Sequence, residues 1–184
     1  VFDPNITTKS ASQIRSEVKS AVTGYSTSSL ADFNKTLRQS RLSATLDSVD
    51  GSIISSSIFA SPIIQVVPIL NTIQNPAFSY ETSLVKPYAY DAITGLSGFT
   101  PAIRTTKLTI EGTVCRLQDD GAGKMMAVTA SSTSPSVFKR SIGTINYITG
   151  AVKLSNLIVD SFEGNAIKFI ANSVAKDVKA PKDR

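Results

Sequence analysis

Hydrophobic positions recur with two different periods along the 184-residue chain, and the change of period divides it. Residues 9–25 carry Ile14, Val18, Ala21, Val22 and Tyr25 at helical spacing, with Arg15, Glu17 and Lys19 facing outward. Ser10 and Gln13 have the spacing of a capping box, in which side chains satisfy N–H groups that the first turn leaves unpaired. Gly24 is placed to help end this helix. A Ser/Thr link at 26–29 leads into 30–37, where Phe33, Thr36 and Leu37 leave the period ambiguous. Leu42, Leu46 and Val49 form one stripe, which predicts a second helix over 38–49. Asp50 and Gly51 then read as a turn.

From Ser52 the pattern becomes extended. Residues 53–59 are rich in Ile and Ser and read as β-like, and Pro62, Pro68 and Pro76 punctuate a connection that should hold no helix. Phe78, Tyr80, Thr82 and Leu84 alternate with Ser79, Glu81 and Ser83. Leu108, Ile110, Gly112 and Val114 alternate with polar neighbours, the period of a half-exposed strand, which puts Cys115 on the outward register. Residues 119–123, with Gly121 and Gly123, make a turn into 124–130. Thr149 and Gly150 separate apolar runs at 142–148 and 151–154, a tight hairpin signal because Gly tolerates positive φ. Further runs at 157–162 and 166–171 flank Glu163, Gly164 and Asn165. The charged tail over 176–184 holds Pro181 and is expected to fray.

These patterns predict an α+β chain: N-terminal helices with short strands, followed by a mostly antiparallel β-rich region. The expected division is residues 1–75, a helix-strand α/β region, and 76–184, the β-rich region with its frayed tail. No internal repeat stands out.

Composition narrows the chemistry. The chain holds no His, no Trp and one Cys. Without His, neither Ser-His-Asp nor Cys-His catalysis is available, nor a His-ligated metal. One thiol makes neither an intrachain disulfide nor a Cys-rich zinc site. No metal or cofactor is expected, and no catalytic residue is assigned. The chain opens on Val1 rather than Met, as a piece of a longer protein would, and shows no signal-peptide pattern. The apolar stretch at 58–70 is short for a membrane span and contains two prolines, so a soluble segment without a membrane partner is expected.

The run Asp119-Asp120-Gly121-Ala122-Gly123-Lys124 fails as a phosphate loop, lacking the first Gly and placing Met125 where Ser or Thr would bind magnesium. It also lacks the alternating acidic ligands of a calcium loop. The formal net charge of +5 raises nucleic acid as a partner. Yet Arg38 with Arg41, Lys139 with Arg140, and the tail lysines are separate, and no aromatic-basic interleaving appears. No nucleic-acid partner is expected. Tyr88, Tyr90 and the 63–70 segment are candidate interface material, because aromatics are enriched in interface cores. The plainer reading places them in the core of the chain itself.

Several runs resemble a known family. Ile14-Arg15-Ser16-Glu17-Val18-Lys19-Ser20-Ala21-Val22, then Tyr25, Leu37-Arg38-Gln39-Ser40-Arg41-Leu42 and Val49-Asp50-Gly51 resemble the late segment of baseplate J-like proteins. Gly143-Thr144-Ile145-Asn146-Tyr147-Ile148-Thr149-Gly150-Ala151-Val152, after the 119–123 turn, is similar to wedge proteins of the T-even gene-six type. The resemblance covers roughly Ile14 to Val178 and implies a C-terminal fragment of a contractile-tail baseplate wedge protein.

That resemblance implies a non-enzymatic virion component, assembled in the host cytoplasm, whose subunit contacts join wedges into a ring. It implies as partners other copies of the chain, in homo-oligomeric dimer contacts, and other wedge proteins. The competing reading is a carbohydrate- or surface-binding β-module of a tail or adhesin, against which the absence of Trp counts. A hydrolase stands third.

Overall fold

The computed structural model describes residues 2–30, 36–56, 58–89, 96, 99–130, 135–175 and 178–179. The elements in chain order are α1 (Ala11–Ser29), β1 (Thr36–Leu37), α2 (Gln39–Asp47), β2 (Ile63–Val66), β3 (Ala77–Ser79), β4 (Ile103–Thr105) and β5 (Leu108–Ile110). They continue as β6 (Thr113–Asp119), β7 (Lys124–Thr129), β8 (Val137–Asn146), β9 (Ala151–Leu154), β10 (Ser161–Phe162), β11 (Ile167–Ala171) and β12 (Val178–Lys179). The fold is α+β, and its large sheet is antiparallel throughout. Two compact units are present: Val1–Ala60 with Lys176–Arg184, and Ser61–Ala175. Residues 61–75, grouped by sequence with the helices, fall in the β unit because β2 pairs with β11 from Ile63↔Ile170 to Val66↔Ile167.

In the helical unit the capping box forms. Gln13 N–H donates to the Ser10 hydroxyl and Ser10 N–H donates to Gln13 Oε1 at 2.8 Å. Ile14 is buried, Val18, Ala21 and Tyr25 are half-buried on the same face, and Val22 is exposed. The helix runs on past Gly24 to Ser29. The Thr27 and Ser28 hydroxyls both donate back to Gly24 O, so the Ser/Thr run satisfies helix carbonyls instead of forming a link. The second helix is shorter than the stripe suggests, ending at Asp47, with its own Leu42 buried. The β-like reading of 53–59 is not met by a strand. Ile53 makes one bridge to Phe2, while Ile54 and Phe59 are exposed and Ser57 lies outside the described residues. In the tail, β12 pairs antiparallel with β1; residues 176–177 and 180–184 lie outside the described residues.

The β unit is one sheet in the order β2-β11-β4-β6-β7-β8-β9-β3, with β10 pairing β5 and β5 pairing β6. Its core gathers Leu84, Ile103, Leu108, Leu117, Met125, Val152 and Phe169, among others. Phe169 packs edge-on against Phe78 at 4.8 Å between ring centroids. Tyr80 brings a polar tip into this core and satisfies it by donating to Phe169 O at 2.8 Å.

The alternation through 108–114 is not one strand. Glu111 and Gly112 have φ of 50° and 71° and form a two-residue turn joining β5 to β6. Ile110 pairs with Thr113, so the turn reverses the parity of every later residue. Cys115 therefore shares the inner face with its partner Leu108 and is fully buried, while Val114 is exposed, the reverse of the expected register. The connection between β8 and β9 is likewise longer than expected. It spans residues 147–150, closed by Gly150 N–H donating to Asn146 O at 2.8 Å.

Candidate functional site

The end of β6 carries a fully buried acidic side chain, Asp119. Its Oδ1 accepts from Ile103 N–H at 2.9 Å, and its Oδ2 accepts from Gly121 N–H at 3.2 Å and the Tyr147 hydroxyl at 2.8 Å. One carboxylate thus ties together the start of β4, the β6–β7 turn and the β8–β9 connection. Asp120 holds the same turn from outside, with Oδ1 accepting from Ala122 N–H and Lys124 N–H. Burial pushes the Asp119 carboxyl above its ordinary range, against the lowering effect of its donors. The Tyr147 hydroxyl is also raised, first by burial and then by the Asp119 charge. Lys86 Nζ lies 5.9 Å from the centroid of the Tyr147 ring. The Tyr147 hydroxyl keeps its proton and donates it in a hydrogen bond to Asp119, so the pair reads as a structural junction.

Backbone geometry explains the glycines around it. Gly121 has φ of 72°, and a Cβ there would overlap the Tyr88 carbonyl and Ala89 Cα. Gly123 has φ of 100°. Gly150 has φ of 69°, and a Cβ would stand 2.5 Å from Thr82 O. Gly51 lies in a turn with open space where a Cβ would sit; there Asp50 does the organising. Asp50 Oδ1 accepts from the hydroxyl and N–H of buried Ser52, at 2.6 and 3.0 Å. Lys9 Nζ sits 3.1 Å from Asp50 and 2.8 Å from Glu17. The Ser52 hydroxyl, then its N–H, then Lys9 hold the Asp50 carboxyl down at about 2. The spacing of residues does not show the Asp119–Tyr147 bond, which joins positions 28 apart.

The candidate interface residues divide between surface and core. Tyr88 is 95% exposed, and Tyr90 lies outside the described residues. In the 63–70 segment Ile64 and Val66 pack against the core, but Ile63, Val67, Ile69 and Leu70 are exposed, Val67 by 70%. Alternation across a sheet edge accounts for the split: one face meets the core and the other is uncovered among the described residues. A cleft of about 160 Å³ is lined by Arg104, Arg116, Gln118 and Val128, among others. A second, beside Lys107 and Phe162, measures about 210 Å³; neither touches Asp119 or Tyr147. Among the described residues no three His, Cys, Asp or Glu come together as metal ligands, and no helix is long and apolar enough to cross a membrane.

A comparison with curated proteins returns no match. A family model does match: residues 2–60 fit the one described as baseplate structural protein gp6, C-terminal domain III. The matched stretch corresponds to the helical unit, with its capping box, its two helices and the Asp50 turn. Over residues 2–60, therefore, the chain is similar to C-terminal domain III of the phage baseplate structural protein gp6.

Proposed function

We propose that the chain is a non-catalytic part of a phage tail baseplate wedge whose subunit contacts join wedges into a ring. The match of residues 2–60 to a baseplate structural domain carries this reading. The uncovered apolar positions of the 63–70 segment support it, because soluble surfaces seldom leave β-branched side chains contiguous without a partner. Its partners are other copies of the chain, in dimer contacts, and other wedge proteins, rather than nucleic acid or membrane. Its place is the virion tail baseplate, after assembly in the host cytoplasm.

The test is assembly. The protein lacking residues 2–60 is mixed with the remaining wedge components, and the products are imaged by electron microscopy. Loss of closed rings is expected. Normal rings without that segment overturn the reading. Glycan-array binding by the intact chain would instead favour a surface-binding module.

A further inference from the structure

Strand β2 ends the sheet, and it lies in a seven-residue segment whose sequence is symmetric about Gln65. Pro62-Ile63-Ile64-Gln65-Val66-Val67-Pro68 places a proline three residues to either side of Gln65, with paired β-branched residues between. The same segment lies within residues 51–80, which contain no charged side chain. Natural sheet edges are usually guarded by charges, or by prolines that remove outward N–H groups. Here neither guard faces outward. Ala171 N–H donates to Pro62 O, so residue 62 turns its backbone toward β11, and residues 64 and 66 share that register. Ile63, Gln65 and Val67 then present their N–H and C=O groups to the open edge, where no strand pairs among the described residues.

We propose that the β2 edge pairs antiparallel with the β2 edge of a second copy, on a two-fold axis at Gln65. This deepens the reading of the chain as a subunit joint and rests on it. In that register Gln65 faces its own copy, Ile63 faces Val67, Ile64 faces Val66, and Pro62 faces Pro68. The three outward pairs close about six backbone hydrogen bonds. Neither proline loses a bond across the new ladder, because both lie in the inward register. Every other cross-strand pair is apolar on apolar, or glutamine on glutamine, whose side-chain amides complement each other. An uncharged edge also lets two chains of net charge +5 approach without like charges in contact. Self-complementarity under a two-fold is what an isologous interface requires, and it singles out a second copy over an unrelated strand.

Light scattering and sedimentation of the intact chain test this, with folding checked by circular dichroism. Wild type should dimerise. Gln65→Pro removes the central outward N–H while leaving the bonds to β11, and should weaken association by about tenfold or more. Ile63→Lys with Val67→Lys sets like charges opposite each other twice and should do the same. Ile63→Glu with Val67→Lys sets opposite charges there and should restore the dimer, which a folding defect at these positions would not allow. A wild-type dimer unchanged by Gln65→Pro and by the double lysine variant overturns the β2 joint but leaves self-association standing. A wild-type chain still monomeric near about 1 mM overturns the joint outright, whereas the baseplate role stands or falls on the deletion of residues 2–60.

Discussion

The helical and β units are stabilised by different physics. Among described residues of the helical unit only Ile14, Leu42 and Ser52 are buried, whereas all nineteen residues of the hydrophobic cluster belong to the β unit. The helical unit relies on a capping box, on hydroxyls bonded back to helix carbonyls, and on Lys9 bridging Glu17 and Asp50. The β unit relies on packed apolar side chains with buried polar contacts at Asp119, Tyr80 and Thr105. A cap contributes about 1 kcal/mol and a buried large side chain roughly 1.5–3 kcal/mol, whereas exposed ion pairs are weakened by solvent screening. The stretch that matches the baseplate family model is thus the one with little buried core among its described residues.

Phe169→Ala should have the largest effect, costing about 3–5 kcal/mol through the cavity left beside Phe78. Denaturant unfolding followed by β and helical signals checks it. If the helical signal falls at the same denaturant concentration, the units share one transition and the contrast breaks. Gly150→Val should cost about 1–3 kcal/mol from its positive φ alone, with the approach to Thr82 O adding to that. A thermal melt within experimental error of wild type would overturn that account.

Tyr147→Phe removes a donor from the buried Asp119 carboxylate and should cost about 1–3 kcal/mol by denaturant unfolding. The two aspartates then separate the units by pH. Asp119 has a raised folded pKa, so its contribution is fully present below its unfolded value of 3.8 and is lost as pH rises through the folded one. Asp50 is depressed to about 2, so its contribution is present above 3.8 and lost as pH falls through about 2. Acidification should therefore weaken contacts around Asp50 while strengthening those around Asp119, read as opposite trends in residue-resolved hydrogen exchange. Parallel trends would erase this distinction. Ser10→Ala should have the smallest effect, about 1 kcal/mol, seen as lost helicity at the start of α1.

The sequence alone determined what depends on neighbours a few residues apart. The stripe of α1, the Ser10–Gln13 cap and the existence of a second helix, which spans Gln39–Asp47 inside the expected 38–49, all follow from local spacing and side-chain chemistry. Local reading failed where one residue controls the parity of many. At Glu111–Gly112 the two-residue turn kept the alternation intact on paper while reversing the face, and Cys115 moved from the expected surface to the core.

Tertiary structure alone decided which distant groups meet and which edges stay open. Asp119 finds Tyr147 because β6, β7 and β8 are adjacent, and no pattern near either residue encodes that order. The segment 63–70 is apolar apart from Gln65, so composition points to the core. Only its place at the end of the sheet divides it into Ile64 and Val66 facing inward and Ile63 and Val67 left outside. Periodicity records the shape of one element, whereas burial is settled by the neighbours that the whole chain brings to it.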